Sequence, residues 1–185
     1  MENNKSIYVV LSQTGSIVSS ILKLFTKDKY NHVSISLDSG LKEMCSFGRY
    51  YTYFPFWGGF VHEDANKGVM GNCKNAQTLI LRFDATEEQI SNIKNKVEEM
   101  FNSKKKYRYD MIGVFLALFN KKLTRKRRFY CSEFVKEILA LYGVIDGSVC
   151  PKIMKPMDFL SLNGEKIYEG NLHAYVDNLK QNVAN

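Results

Sequence analysis

The sequence has no apolar stretch long enough to cross a membrane and no visible export signal. The longest apolar run, Met111 to Phe119, falls well short of the roughly 20 residues that a membrane-spanning helix requires. The polar N-terminus leads into only a few apolar residues, Ile7 to Leu11, which are too few for the core of a signal peptide. We therefore expect a soluble, cytoplasmic protein.

Cysteines and histidines are few and scattered, and this spacing disfavours two common kinds of site. The four cysteines, Cys45, Cys73, Cys131 and Cys150, include no C-x-x-C pair, and in a reducing compartment they are expected to be thiols. Without paired spacing, zinc ligation is disfavoured. No phosphate-binding loop, dinucleotide fingerprint or H-E-x-x-H motif occurs, so we expect no cofactor.

The sequence does have enough chain for one core, and it has an excess of positive charge. At 185 residues, the chain fits a single domain, residues 1–185, that needs no disulfides for stability. The net charge of +7 comes mainly from two clusters, Lys104 to Lys106 and Lys121 to Arg128. Such runs indicate either an anionic partner or a solvated surface that keeps the protein soluble.

Short runs of apolar or alternating residues, bounded by turn residues, predict strands. In the segment that begins at His32, the alternation places His32, Ser34 and Ser36 on one face and apolar residues on the other. One side of this strand can therefore join the core while the other faces a cleft or solvent. The predicted strands are Ile7 to Leu11, His32 to Leu37, Leu41 to Phe47, Gln77 to Phe83 and Lys166 to Glu169.

Helical spacing of apolar residues predicts four helices. The segment Tyr109 to Phe119 is apolar on all sides, which indicates a buried helix or one whose exposed face meets lipid or an acyl substrate. The aromatic-rich segment Arg49 to Gly59 instead predicts an ordered loop, either a substrate wall or a satellite core. The predicted helices are Ser16 to Phe25, the capped segment after Thr86, Tyr109 to Phe119, and Ser132 to Tyr142.

Cys131 stands at the start of the last of these helices, a position that suits a nucleophile. Unpaired backbone N–H groups and the positive end of the helix dipole there both favour the thiolate. A thiolate still needs a base and a proton donor for the leaving group, and the only histidines are His32, His62 and His173. His32 is best placed, because its strand would hold the ring against the Cys131 helix.

The segments N31-H-V-S-I-S-L37 and F129-Y-C-S-E-F-V135 resemble the His strand and the Cys helix of the circularly permuted NlpC-type cysteine hydrolases. The YiiX-like bacterial proteins are nearest in pattern, and lecithin:retinol acyltransferase-like enzymes are further off. In papain the Cys precedes the His, whereas here the order is reversed, as in the permuted branch. The resemblance implies an α+β, circularly permuted papain-like fold in which a small antiparallel sheet packs against helices.

The resemblance also implies a third polar residue that orients the imidazole from the strand after the His strand. Ser46 aligns best with that position, and Glu43 is the second choice. Ser46 departs from the His or Glu that relatives carry, so its orienting effect would be weaker. The oxyanion would be bound by the Cys131 backbone N–H and one further donor, Gln13 or Tyr130.

The family chemistry is attack on a carbonyl carbon to give a thioester acyl-enzyme, which water or an amine then resolves. The apolar Met111 to Phe119 segment, the aromatic loop and the basic run suit a small acyl-containing, lipid-like substrate and peripheral contact with an anionic membrane. No specific nucleic acid is expected. The rival hypothesis is a non-enzymatic module that binds nucleic acid or a membrane, in which the Cys and His are incidental.

Overall fold

A six-stranded antiparallel sheet organises the computed structural model, which describes residues 5–13, 28–50, 57–73 and 75–184. In chain order its strands are β1 (Lys5–Ser12), β2 (His32–Ser36), β3 (Met44–Arg49), β4 (Gly58–Glu63), β5 (Gln77–Ala85) and β8 (Glu165–Asn171). They lie in the order β4-β3-β2-β1-β5-β8. The α+β class and the antiparallel sheet expected from the sequence are confirmed.

Two further strands are only two residues long and lie between helices. They are β6 (Arg108–Tyr109) and β7 (Arg128–Phe129), which pair in parallel. The helices are α1 (Gly68–Asn72), α2 (Glu87–Asn102), α3 (Met111–Leu118), α4 (Cys131–Leu141) and α5 (Leu172–Ala184). Short 3-10 turns occur at Lys104–Lys106 and Pro156–Ser161.

Period-two alternation along the strands creates an apolar core on each face of the sheet. On β1, Ile7, Val9 and Leu11 join the core that contains the buried side chains of α2 and α4. Val10 points the other way, into a smaller core that includes Leu172 of α5. The sheet is thus covered on both faces, which explains why most of β1 is fully buried.

The parallel pair β6 and β7 places the starts of α3 and α4 side by side. The N–H of Asp110 donates to Phe129 O at 2.9 Å, and the Asp110 carboxylate caps α3 by accepting from the Gly113 N–H at 2.7 Å. Asp110 is fully buried and forms an ion pair with Arg125. The basic segment between the two helices is therefore fixed to the fold at one arginine.

Most elements predicted within the described ranges are present, and the differences lie at element boundaries. The capping box of α2 is confirmed, because Thr86 Oγ1 accepts from the Gln89 N–H at 3.2 Å and Gln89 Oε1 accepts from the Thr86 N–H at 2.8 Å. The predicted loop Arg49 to Gly59 is wrong at its end, where Gly58 and Gly59 already belong to β4. Its residues 51–56, and the predicted helix Ser16 to Phe25, lie outside the described residues.

The apolar helix α3 is not buried, since Ile112 and Phe115 are more than half exposed. Of the two alternatives left by its sequence, the structure has the helix with an exposed apolar face. In the part of the chain that the structure describes, no helix has the length and hydropathy of a membrane span.

Candidate active site

Cys131 is the first residue of α4, as the sequence predicts, and packing of that helix on the sheet fixes its position. Phe134, one turn further on, lies between two sheet residues, with ring centroids 5.2 Å from Phe47 and 5.5 Å from Phe60. The hydroxyl of Ser132 donates to Met154 O at 2.7 Å and ties down the first turn. Cys131 itself is 6% exposed.

His32, the first residue of β2, contacts Cys131. The two side chains are close enough to interact, and the Cys131 side chain favours the protonated ring and raises the pKa of His32. Two contacts with β1 fix the backbone around His32, since His32 is in register with Ser12 and the Asn31 N–H donates to Ser12 O at 3.2 Å. The structure thus brings together the cysteine and the histidine that the sequence singled out from distant parts of the chain.

Glu63, the last residue of β4, binds the opposite side of the imidazole. Its two carboxylate oxygens lie 2.9 and 3.2 Å from His32 Nε2. The Ser34 hydroxyl donates to the same carboxylate and lies 3.2 Å from Nε2. Because Nε2 is occupied in this way, Nδ1 is the nitrogen left for the sulfur. The resulting order, thiol, imidazole and carboxylate, is that of a catalytic triad.

Charge coupling within this group sets the protonation of both ring and carboxylate. Burial pushes the pKa of His32 down, but the Glu63 charge and the hydrogen bonds to Cys131 and Glu63 push harder, and the pKa lies well above 6.5. Burial pushes the pKa of Glu63 up, but the neighbouring His32 charge outweighs it, and the pKa lies below 4.5. Near neutral pH, the resting site therefore holds an imidazolium against a carboxylate, both 13% exposed.

Gly48 on β3 leaves the space that this contact occupies. A Cβ at residue 48 would lie 3.4 Å from Val61 Cγ2 and 3.8 Å from both Glu63 Oε1 and His32 Cε1. A residue of β3 larger than alanine would therefore press on both partners. The absence of a side chain here is what lets a residue of β4 reach a residue of β2 across the strand between them.

The two residues expected to orient the ring lie elsewhere, and this part of the expectation is wrong. Ser46 is fully buried and donates its hydroxyl to Val33 O at 2.7 Å, so it bridges two strands. Glu43 is exposed, its N–H bonds to the Asp38 carboxylate, and its charge acts on His62. The carboxylate that contacts the ring is that of Glu63, one strand further across the sheet than the resemblance implied.

The sequence contains a signal for Glu63, just after the aromatic segment Arg49 to Gly59 that predicts a loop. The residues G59-F-V-H-E63 alternate, so that Phe60 joins the core and Glu63 shares the opposite face with Gly48. The six aromatics before it masked this pattern. A strand over these residues puts the Glu63 carboxylate on β4, which pairs with β3, the neighbour of the His32 strand β2.

The two side chains considered as oxyanion donors have different surroundings. Tyr130 is the residue before α4, is 8% exposed and lines a pocket next to Cys131. Burial, followed by the nearby charge of Glu133, raises the pKa of Tyr130, so its hydroxyl keeps the proton that a donor needs. Gln13 follows Ser12, the partner of His32, and its N–H donates to Gln77 O at 2.9 Å. Their roles stay predictions.

A small, half-open pocket with a cavity volume of about 60 Å³ reaches Cys131. Its walls are predominantly apolar and aromatic. Helix α3 supplies Val114, Ala117 and Leu118, and the segment before the second 3-10 turn supplies Met154. A small apolar group placed here would contact these side chains next to Cys131.

The other cysteines and histidines lie in different settings. Cys45 is buried in the main core, and burial raises the pKa of its thiol. The His62 ring packs edge-on against Phe101, with centroids 4.5 Å apart. Across the described ranges, no group of three or more His, Cys, Asp or Glu side chains could hold a metal ion.

Comparison with known proteins identifies no relative for this arrangement. Neither a family model, nor a curated protein, nor a solved structure matches the chain. What the site can do is therefore argued from its own geometry. A sulfur at a helix N-terminus, an imidazolium beside it and a carboxylate behind the ring together can attack a carbonyl carbon and protonate the group that leaves.

Proposed function

We propose that this protein is a cysteine-dependent hydrolase or acyltransferase that acts on an ester, amide or thioester carbonyl. The observation that carries the proposal is the contact of one imidazole with both the Cys131 sulfur and the Glu63 carboxylate. Each partner alone has an ordinary structural explanation. Polar groups that converge in a nearly buried place with strongly shifted pKa values, next to an apolar pocket, are characteristic of active sites.

In the proposed reaction, Cys131 attacks the carbonyl carbon as a thiolate, with the His32 imidazolium as its counter-charge, and the carbonyl π electrons move onto oxygen. The backbone N–H of Cys131 and a second donor bind that oxyanion. When the intermediate collapses, the carbon–leaving group bond breaks and His32 gives its proton to the departing oxygen, nitrogen or sulfur. The product is a thioester on Cys131 and a neutral imidazole.

The second half of the reaction reverses these roles. His32, now neutral, takes a proton from water or an amine as that nucleophile attacks the thioester carbon. The carbon–sulfur bond breaks, releasing the acid or the new amide and restoring the thiolate and the imidazolium. His32 thus acts first as acid and then as base, whereas the sequence suggested chiefly a base. Glu63 keeps the charged ring in one orientation throughout.

The fold that best suits this proposal is the circularly permuted papain-like one. Its support is the chain order, in which the histidine strand β2 precedes the cysteine helix α4, together with the packing of α4 on the antiparallel sheet. The family resemblance of the two motifs points the same way.

The proposed substrate has an acyl chain, because the pocket at Cys131 is predominantly apolar. Val114 and Leu118 of α3, Met154 and the aromatic side chains offer contacts for hydrocarbon. A substrate carbonyl near the sulfur would then have its chain along α3. This geometry favours lipid or N-acyl substrates over the peptides cleaved by other NlpC-type enzymes.

The proposal predicts an acyl adduct on one cysteine. The full-length protein is incubated with panels of phospholipids and N-acyl amines, and intact mass spectrometry followed by peptide mapping locates any added acyl group. We expect an adduct on Cys131 that Cys131→Ala abolishes, while Cys73→Ala, which removes a partly buried thiol outside the site, retains it. No adduct across the panels, or one that survives Cys131→Ala, would refute lipid acyl transfer.

A further inference from the structure

Helix α3 carries a stripe of exposed apolar side chains. Ile112, Phe115 and Phe119 at its C-terminal boundary are 54%, 58% and 55% exposed. Their spacing of three and four residues places them on one face, and the rings of Phe115 and Phe119 lie edge to face with centroids 5.3 Å apart. Large apolar side chains grouped in this way, rather than scattered singly, mark a surface that meets another apolar phase.

The chain directly after this stripe is exposed and basic. Lys121, Lys122, Lys126 and Arg127 are all exposed. No acidic residue occurs between Met111 and Arg128, although Lys122 is near enough to Glu133 and Glu137 of α4 to interact with their charges. Arg125 is excluded from this set because its guanidinium is held by the buried Asp110, a pairing that also fixes the basic segment next to α3.

The opposite side of α3 faces the interior. Val114, Ala117 and Leu118 line the pocket that reaches Cys131. One short helix therefore separates the exposed apolar stripe from the pocket. We define the docking face as Ile112, Phe115, Phe119, Lys121, Lys122, Lys126 and Arg127.

We infer that the docking face seats the protein on an anionic membrane surface. An interfacial helix buries its apolar stripe at the boundary between headgroups and acyl chains, while flanking lysines and arginines meet anionic headgroups. The docking face supplies both parts, adjacent in the chain and exposed together. The inference does not depend on the chemistry of Cys131. If the proposed function also holds, the pocket is positioned near the lipid surface.

A membrane explains this face better than a nucleic acid does. Single strands bind on open aromatic faces combined with a basic groove. Here the two rings pack against each other edge to face, and the third member of the stripe is the aliphatic Ile112. An isoleucine offers nothing to a phosphate or a base, but it adds to burial among acyl chains.

The test is co-sedimentation of the full-length protein with vesicles of phosphatidylcholine alone or mixed with phosphatidylserine. We expect binding to the mixed vesicles, little to phosphatidylcholine, and weaker binding as salt increases. The double variant Phe115→Ser/Phe119→Ser and the double variant Lys121→Gln/Lys122→Gln should each lower the partition coefficient by more than about tenfold. Both change exposed side chains, so folding should be preserved, which circular dichroism checks.

Matched controls change the same residue properties elsewhere on the surface. Leu141→Ser/Val149→Ser removes apolar side chains that are 65% and 68% exposed, and Lys42→Gln/Lys94→Gln removes two exposed charges. Both controls, and Cys131→Ala, should bind the vesicles like the unaltered protein. Equal losses in controls and docking-face variants, or binding of RNA but not of mixed vesicles, would overturn the inference. Vesicle binding without any acyl adduct would refute lipid acyl transfer at Cys131 and leave the docking inference standing.

Discussion

At the scale of single residues, the site is governed by the opposite pKa shifts of His32 and Glu63. Because the folded pKa of His32 lies above 6.5, the stability contributed by its protonated ring is full below that pH and is lost as pH rises through the folded value. The pKa of Glu63 is lowered, so its contribution is present above 4.5 and is lost as pH falls through the folded value. Both contributions are therefore full between pH 4.5 and 6.5, and the pair weakens on either side of that window.

The pKa of Glu133, two residues after Cys131, is shifted in the opposite direction from that of Glu63. It is 7% exposed, and its Oε2 has no hydrogen-bond partner within the described ranges. Burial, followed by the nearby charge of Glu137, raises its pKa from 4.5 to about 7. Ionising this carboxyl in the folded protein is unfavourable, so the protein loses stability as pH rises from 4.5 through about 7.

We predict that Glu133→Gln stabilises the protein in alkaline solution only. Above about pH 8 the gain in the free energy of unfolding should be about 2 kcal/mol, because the amide removes the buried charge and keeps an acceptor for the Tyr130 N–H. At about pH 5, where both states bind the proton, the difference should be small. Urea denaturation at the two pH values measures this. A gain that does not depend on pH would show that the carboxyl is not the cause.

At the scale of elements, the site depends on how three neighbouring strands are arranged. His32 starts β2 and Glu63 ends β4, so the contact between them crosses β3. The backbones of β2 and β3 pair at Ile35 with Cys45 and at Ser36 with Met44. Further along, the Ser46 hydroxyl joins the two strands by donating to Val33 O. Strand β3 thus holds β2 in place and sets the distance between His32 and Glu63. Gly48, which has no side chain, leaves the room for their contact.

A size series at residue 48 tests this spacer role. Gly48→Ala should be tolerated, because its Cβ would have ordinary contact distances of 3.4 Å and more. In Gly48→Val, the added methyl groups should separate Glu63 from His32 and slow formation of the acyl adduct by about a hundredfold. Circular dichroism confirms that both variants fold. Equal rates for alanine and valine would show that residue 48 does not control the contact.

At the scale of the whole molecule, local sequence patterns predict where helices and strands occur better than they predict which of these elements contact each other. The capping box at Thr86 and the start of α4 at Cys131 are set by neighbouring residues, so the sequence showed both. The place of Glu63 depends on β4 pairing with β3, a contact between separate segments that no local pattern encodes. Motif alignment points to Ser46 on β3, whereas the carboxylate that contacts His32 is that of Glu63 on β4, the next strand.

The exposed stripe on α3 illustrates the same limit. A sequence apolar on all sides is compatible with burial and with an exposed face, and only tertiary packing decides between them. The parallel pair β6 and β7, with the Asp110–Arg125 ion pair, leaves Phe115 and Phe119 outside the core. The long-range arrangement therefore gives the molecule both of its proposed functional features, the triad and the docking face.

The central claim is that Cys131, His32 and Glu63 form one charge-coupled unit. The direct measurement is an NMR titration of the imidazole Cε1 protons, which is practical because the chain has three histidines. His32→Gln identifies the His32 resonance by its loss, and the pKa of His32 is then compared in the unaltered protein and in Glu63→Gln. We predict a pKa well above 6.5 that falls in Glu63→Gln. A His32 pKa at or below 6.5 that Glu63→Gln leaves unchanged would contradict the account.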